Sequence, residues 1–280
     1  MPPPAQPFGL PALNDEALHA LRAKRAFLLD MDGVIYTGNT PITGAPEFFQ
    51  FLERTGRKYQ CITNNSTLSA KQFVQKLATM GIDVTPDHVL TSSQAAAEAL
   101  RERFPAGARV FAIGEEGLIR ALVGAGFRLV HRRAQAVVCG LDRRLTYERL
   151  VVACFAIRDG AAFVATNPDL YLPTEEGLLP GNGAAVAYLQ TATGVAPTVI
   201  GKPEATMLEV AMRHLGASPK DTVMIGDGLL TDMLAGQRAG VTKVLVLTGV
   251  STAEDLPTAP APPDYVFPNL PALQEVLGGG

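Results

Sequence analysis

Four short runs along this 280-residue chain carry residue types that could act on a phosphate group. The run Asp30-Met31-Asp32-Gly33 closes an apolar stretch, Phe27 to Leu29. Carboxylates at i and i+2 leaving a strand point the same way, and Gly33 permits the sharp turn that exposes them. Two like charges so close repel, so a cation or a proton must reconcile them. Taken alone, the run reads more readily as a solvated acidic turn with an Asx-type hydrogen bond.

The second run is Thr63-Asn64-Asn65-Ser66-Thr67, just before the segment that begins at Ser69. Hydroxyls, amides and the free N–H groups of a helix start make an anion site, though N-capping by Ser66, Thr67 or Ser69 accounts for them too. The third is Gly201-Lys202-Pro203-Glu204, where Pro203 suits a first helical turn and Lys202 is held where strand meets helix. It is not a Walker A loop, because the flanking glycines are missing. The fourth, Gly226-Asp227-Gly228-Leu229-Leu230-Thr231-Asp232, again ends an apolar run in an acid, with a second acid about a helical turn later. Its spacing excludes an EF-hand. Together, three carboxylates, a lysine and a hydroxyl–amide loop are the set that phosphoryl transfer uses. A hard Mg2+ ion takes carboxylate oxygens, and a lysine neutralises phosphoryl charge.

Such groups need a scaffold that brings strand ends together. Strands are expected at Ala26–Asp30, Arg57–Thr63, His88–Thr91, Arg109–Ile113, Ala136–Gly140, Ala162–Thr166, Thr198–Gly201, Thr222–Gly226 and Val241–Thr248. Helices are expected at Glu47–Thr55, Ser69–Met80, Ser93–Phe104, Glu116–Gly124, Thr146–Arg158, Ala184–Ala192, Ala205–Leu215 and Leu230–Ala239. This alternation predicts an α/β protein, a Rossmann-like doubly wound parallel sheet with helices on both faces. In such sheets the chemistry sits at the carboxyl ends of the strands, which is where all four runs fall.

With these runs in this order, the chain resembles the haloacid dehalogenase superfamily of aspartate-nucleophile phosphatases. More narrowly it is similar to the NagD-like, p-nitrophenyl phosphatase subclass, on DMDGVIYTGNTPITGA, TNNST, CGLDRRLTY, ATNPDLYLPTEEGLLPGNG, GKP, GDGLLTD and VLVLTGV. The resemblance implies a Mg2+-dependent phosphomonoesterase acting on small-molecule phosphate esters, with Asp30 as nucleophile and Asp32 as general acid and base. It implies that Thr63, Asn64, Asn65 and Lys202 bind phosphate. It also implies that Mg2+ sits on Asp30, Asp32 (through its carbonyl) and Asp227, with Gly33 and Asp232 in support. Gly228 departs from the subclass, which usually carries a larger polar residue there. A phosphotransferase or phosphomutase on the same core is an alternative, as is a phosphate-binding protein without turnover. The physiological ester is left open among nucleotides, phosphoglycolate, sugar or glycerol phosphates and pyridoxal phosphate.

About 140 residues separate Thr63 from Lys202, whereas a βαβ unit needs only about 30. An insert is therefore expected at residues 107–177, a small α/β cap (C2 type by the resemblance), with 1–106 and 178–280 forming a discontinuous core. Thr166–Asp169 and Pro180–Gly183 read as its return linker. Asp142, Arg143, Arg144 and Asn167 are candidates to touch substrate. The resemblance also implies a homodimer through the cap.

Lys and Arg number 24 against 27 Asp and Glu, a net charge of −3, which gives no field to hold nucleic acid. No apolar run approaches the roughly 18 residues of a membrane span. The proline-rich start does not read as a signal peptide. Three cysteines without paired spacing point to a reducing compartment, so a cytoplasmic protein with buried structural thiols is expected. His19, His88, His131 and His214 show no metal or triad spacing.

Overall fold

The structure is a computed structural model that describes residues 14–174 and 177–279. In chain order it begins with α1 (Asp15–Arg22), β1 (Ala26–Asp30), the hairpin of β2 (Tyr36–Thr37) and β3 (Thr40–Pro41), α2 (Ala45–Arg54), β4 (Lys58–Thr63), α3 (Ala70–Ala78), β5 (Val89–Thr91) and α4 (Ser92–Arg103). There follow β6 (Arg109–Ile113), α5 (Glu116–Gly124), β7 (Arg128–Leu129), β8 (Ala136–Cys139), α6 (Tyr147–Arg158), β9 (Ala162–Ala165), the hairpin of β10 (Tyr171–Thr174) and β11 (Gly177–Pro180), α7 (Asn182–Thr193) and β12 (Thr198–Val199). The chain closes with α8 (Thr206–Leu215), β13 (Thr222–Gly226), α9 (Leu234–Ala239), β14 (Thr242–Val246), β15 (Tyr265–Phe267) and α10 (Leu270–Gly278). It divides into two compact units, one of Met1–Ile62, Val74–Val89 and Leu208–Gly280, the other of Thr63–Phe73 and Leu90–Met207.

The first unit is built on the sheet β15-β14-β13-β1-β4-β5. β1 pairs in parallel with β13 and β4, and β14 in parallel with β13 and β15. A parallel strand covered on both faces reads as a continuous apolar run, and Ala26, Phe27, Leu28 and Leu29 are fully buried. The strand order runs outward from β1 to β4 and β5 on one side and through β13 on the other. It reverses between β1 and β13, which makes that junction the switch point where α/β sheets open a crevice. Helix α2 buries Phe48, Phe49, Phe51 and Leu52, each contributing about 1.5–3 kcal/mol.

The second unit has its own sheet, β12-β9-β8-β6-β7, with every pairing parallel. Phe111, Ile113, Val137 and Phe163 from its strands pack with Ala153 and Ile157 of α6 and Val186 and Leu189 of α7. The segment expected as the insert, residues 107–177, therefore stops short of this sheet's own elements, because α7 and β12 carry it on to Val199. The run Pro180–Gly183, expected as a linker, instead enters α7 at Asn182. Small residues in Asn-Gly-Ala-Ala hide the helix start, and only the packing of Val186 and Leu189 shows which sheet it serves.

Candidate active site

The carboxylates of Asp30, Asp227 and Asp232 converge in the first unit, with one oxygen of each within 4.8 Å of the others. Asp30 is the last residue of β1 and Asp227 follows β13, so they flank the switch point. Asp232 lies in a wide turn, Leu229–Met233, that leads into α9. Its Oδ2 accepts from the Gly228 N–H at 2.9 Å, and its own N–H donates to the Gly228 carbonyl at 2.9 Å. The space a side chain at Gly228 would enter is held by the Thr231 hydroxyl, so the departure at this position is filled locally.

Backbone crowds Asp227. The Val250 N–H donates to its Oδ2 at 2.7 Å and the Ser251 N–H to its carbonyl at 3.2 Å. A Cβ on Gly33 or on Gly249 would collide with the carboxylate, and Gly33 also takes φ +80, a left-handed value that L side chains rarely adopt. Asp227 and Asp232 are buried and Asp30 is partly buried. Three carboxylates in so small a volume repel strongly unless a cation joins them. An all-oxygen set with two carboxylates drawn from the ends of β1 and β13 fits a hard divalent ion such as Mg2+.

Asp32 is not one of the three. It is exposed, and its Oδ2 accepts from the Tyr36 hydroxyl at 3.3 Å. Tyr36 is fully buried; burial, then the charges of Asp32 and Asp30, push its phenol far up, so it stays a proton donor. The Lys76 ammonium lies 3.6 Å from the centroid of the Tyr36 ring. Burial lowers the Lys76 pKa, while Asp32 opposes that shift. Neither Tyr36 nor Lys76 was indicated by motif spacing; the apolar run Val34-Ile35 that carries Tyr36 back under the loop is the only signal in the sequence.

The second unit gathers the Thr63–Asn65 run with Lys202. The Asn65 N–H donates to Thr63 Oγ1 at 3.1 Å, and Asn65 Oδ1 accepts from the Thr67 N–H and hydroxyl at 2.9 and 2.8 Å. The Asn65 side-chain amide oxygen thus shapes the turn, in line with the capping alternative. Asn64 Nδ2 donates to the Lys202 carbonyl at 2.8 Å and to both carboxylate oxygens of Asp169 at 3.1 Å. Gly201 is tight against the Thr166 carbonyl and Asn64 Oδ1, so the Gly-Lys-Pro loop lies flat on this network. Lys202 is only 2% exposed, and a buried ammonium requires a paired, hydrogen-bonded setting. Asp169 was not singled out by its spacing.

Of the other substrate candidates, Asp142 is turned inward and paired with Arg149, which also donates to the Ala112 carbonyl at 2.8 Å. Arg143 pairs with Glu115 at 2.7 Å and lowers its pKa. The Arg144 N–H caps Asp142 Oδ1 at 2.9 Å. Asn167 donates to the Asn64 carbonyl. These contacts are structural. His88 stacks on Tyr59 with centroids 4.5 Å apart, and His214 Nδ1 lies 3.2 Å from Gln60 Nε2.

A family model described as haloacid dehalogenase-like hydrolase matches residues 27–128, and a related hydrolase model matches residues 199–273. The acid sugar phosphatase of Staphylococcus aureus is 41% identical over 251 residues, covering 89% of this chain and 96% of that protein. The structure of a thermostable NPPase from Geobacillus stearothermophilus, a double mutant, superposes with a TM-score of 0.84 at 42% identity, covering 89% of this chain and 97% of that one. A glycerol phosphate phosphatase from Mycobacterium tuberculosis, in complex with magnesium, superposes with a TM-score of 0.84 at 36% identity, covering 91% of this chain and 77% of that one. The chain belongs to the haloacid dehalogenase-like hydrolases. Within them it falls in the NagD-like branch, and it is a phosphatase of that type.

Proposed function

We propose that the chain is a Mg2+-dependent phosphomonoesterase for small-molecule esters and works through an aspartyl phosphate on Asp30. The observation that carries this reading is the convergence of Asp30, Asp227 and Asp232 beside the switch point. Asp30, Asp227 and the Asp32 carbonyl would hold the ion, with Asp232 in support. When bound, it neutralises the carboxylates and the substrate's phosphoryl oxygens. Asp30 attacks phosphorus in line, and Asp32 gives its proton to the leaving oxygen. Asp32 then takes a proton from the water that hydrolyses the acyl phosphate. Thr63, Asn64, Asn65 and Lys202 bind the phosphoryl oxygens, with Asn64 also fixing the Lys202 loop through its carbonyl contact. The names of the relatives favour a sugar or polyol phosphate as the ester.

Two variants test the roles. Asp30→Asn removes the nucleophile, so both steps stop. Asp32→Asn removes only the proton shuttle, whose loss typically lowers rates about 10²–10⁴-fold. p-Nitrophenolate leaves without much protonation, so Asp30 still becomes phosphorylated, while hydrolysis of the intermediate lacks its base. Rapid mixing of Asp32→Asn with p-nitrophenyl phosphate should show a burst near one equivalent and phosphate trapped on Asp30. A burst from Asp30→Asn instead would reverse the roles. Full turnover after EDTA dialysis would remove the metal from the reading.

A further inference from the structure

We propose that Tyr36, held in place by Lys76, is the positioning residue that aims the Asp32 carboxylate for proton transfer. This rests on the reading of Asp32 as general acid and base. Asp32 is exposed and short, so two torsions decide where its oxygens lie. A proton donor in catalysis must come within hydrogen-bond reach of the leaving oxygen, so the orientation of the Asp32 carboxylate bears directly on the rate.

Tyr36 is built to hold an orientation. It is fully buried, and its backbone is stitched to the acid loop: the Gly33 N–H donates to the Tyr36 carbonyl at 2.8 Å, and the Tyr36 N–H donates to the Met31 carbonyl at 3.2 Å. Asp32 and Tyr36 also form an isolated β-bridge. The phenol is thus a fixed post in the frame of the loop, and its hydroxyl stands 3.3 Å from Asp32 Oδ2. The ammonium of Lys76 over the ring face adds a cation–π contact that holds the ring's tilt. An aromatic needed only for packing requires neither the hydroxyl contact nor a cation on its face.

The test compares kcat/KM for p-nitrophenyl phosphate, whose leaving group needs little protonation, with kcat/KM for glycerol phosphate, whose alkoxide needs a proton. Tyr36→Phe keeps the ring and deletes the hydroxyl. The expected loss on glycerol phosphate exceeds the loss on p-nitrophenyl phosphate by about 5- to 10-fold, the scale of one ordinary hydrogen bond. Lys76→Met keeps an apolar chain over the ring and should show the same direction with a smaller ratio. It also serves if Tyr36→Phe fails to fold. Asp32→Asn, run alongside, should show the same split in a larger form. Equal losses on both esters in Tyr36→Phe and Lys76→Met, or none, would make the pair structural and overturn the proposal, provided Asp32→Asn splits. If Asp32→Asn itself shows no split, the acid–base reading falls, and the positioning role falls with it.

Discussion

The Asp227 carboxylate accepts from the Val250 N–H and sits against two glycines, while the Ser251 N–H holds its main-chain carbonyl, so the side chain is confined on several sides. Gly249→Ala is expected to push the Asp227 carboxylate aside while leaving every proposed ligand residue unsubstituted. The Mg2+ concentration for half-maximal activity should rise at least about tenfold, the usual scale for losing a group that orients a metal ligand. A metal titration checks it, with circular dichroism confirming the fold. An unchanged titration would show that Asp227 does not set metal affinity. At this scale the acids were legible, since an apolar strand ending in Asp, followed by Gly, announces itself. Tyr36, Lys76 and Asp169 were not legible. Their partners lie across turns or far along the chain, where neither period nor motif spacing reaches.

Helix α7, expected at Ala184–Ala192, starts two residues earlier, and the added turn carries its anchor. Asn182 in its first turn donates to the Cys139 and Asn167 carbonyls at 3.1 and 2.7 Å, tying the helix to the ends of β8 and β9. Asn182→Leu would take this donor from the Asn167 carbonyl, while the Cys139 carbonyl keeps the Thr166 N–H at 2.9 Å. A buried group left without its partner costs about 1–3 kcal/mol, so urea unfolding should report a loss of about that size. A loss under about 1 kcal/mol would show that water replaces the amide. Cys139 beneath it titrates abnormally, because burial, then the charge of Asp142, pushes its thiol up to about 12. A raised thiol contributes stability that is intact below the ordinary thiol value and is lost as pH rises toward the folded value. Stability should therefore decline above about pH 8.5, and Cys139→Ala should flatten part of that decline in a pH series of melts. The two hairpins, β7, β15, α1 and α10 went unread in the sequence. Strands of two or three residues carry no usable alternation, and Pro257–Pro263 obscured β15.

For the whole molecule, binding that selects the folded state must appear as stability. A ligand at about 100 times its Kd adds about 2.7 kcal/mol. Mg2+ should accordingly raise the melting temperature of the chain, and Asp227→Asn should abolish most of that shift while calcium or EDTA controls report the site's selectivity. An identical shift in Asp227→Asn would place the bound ion elsewhere. Among the described residues no helix is long and apolar enough to cross a membrane.

The sequence by itself determined the alternation of strands and helices, the parallel sheet, and the identity of the acids, because these follow from local apolar runs and the breaks that end them. Tertiary structure decided the rest. It placed the reversal of strand order between β1 and β13, so that Asp30 and Asp227 meet. It extended the second sheet to β12, turned Asp142 inward, and set Tyr36 beneath Asp32. Which strands become neighbours is settled by packing both faces of a sheet at once, a competition among the apolar runs of the whole chain that no single run records.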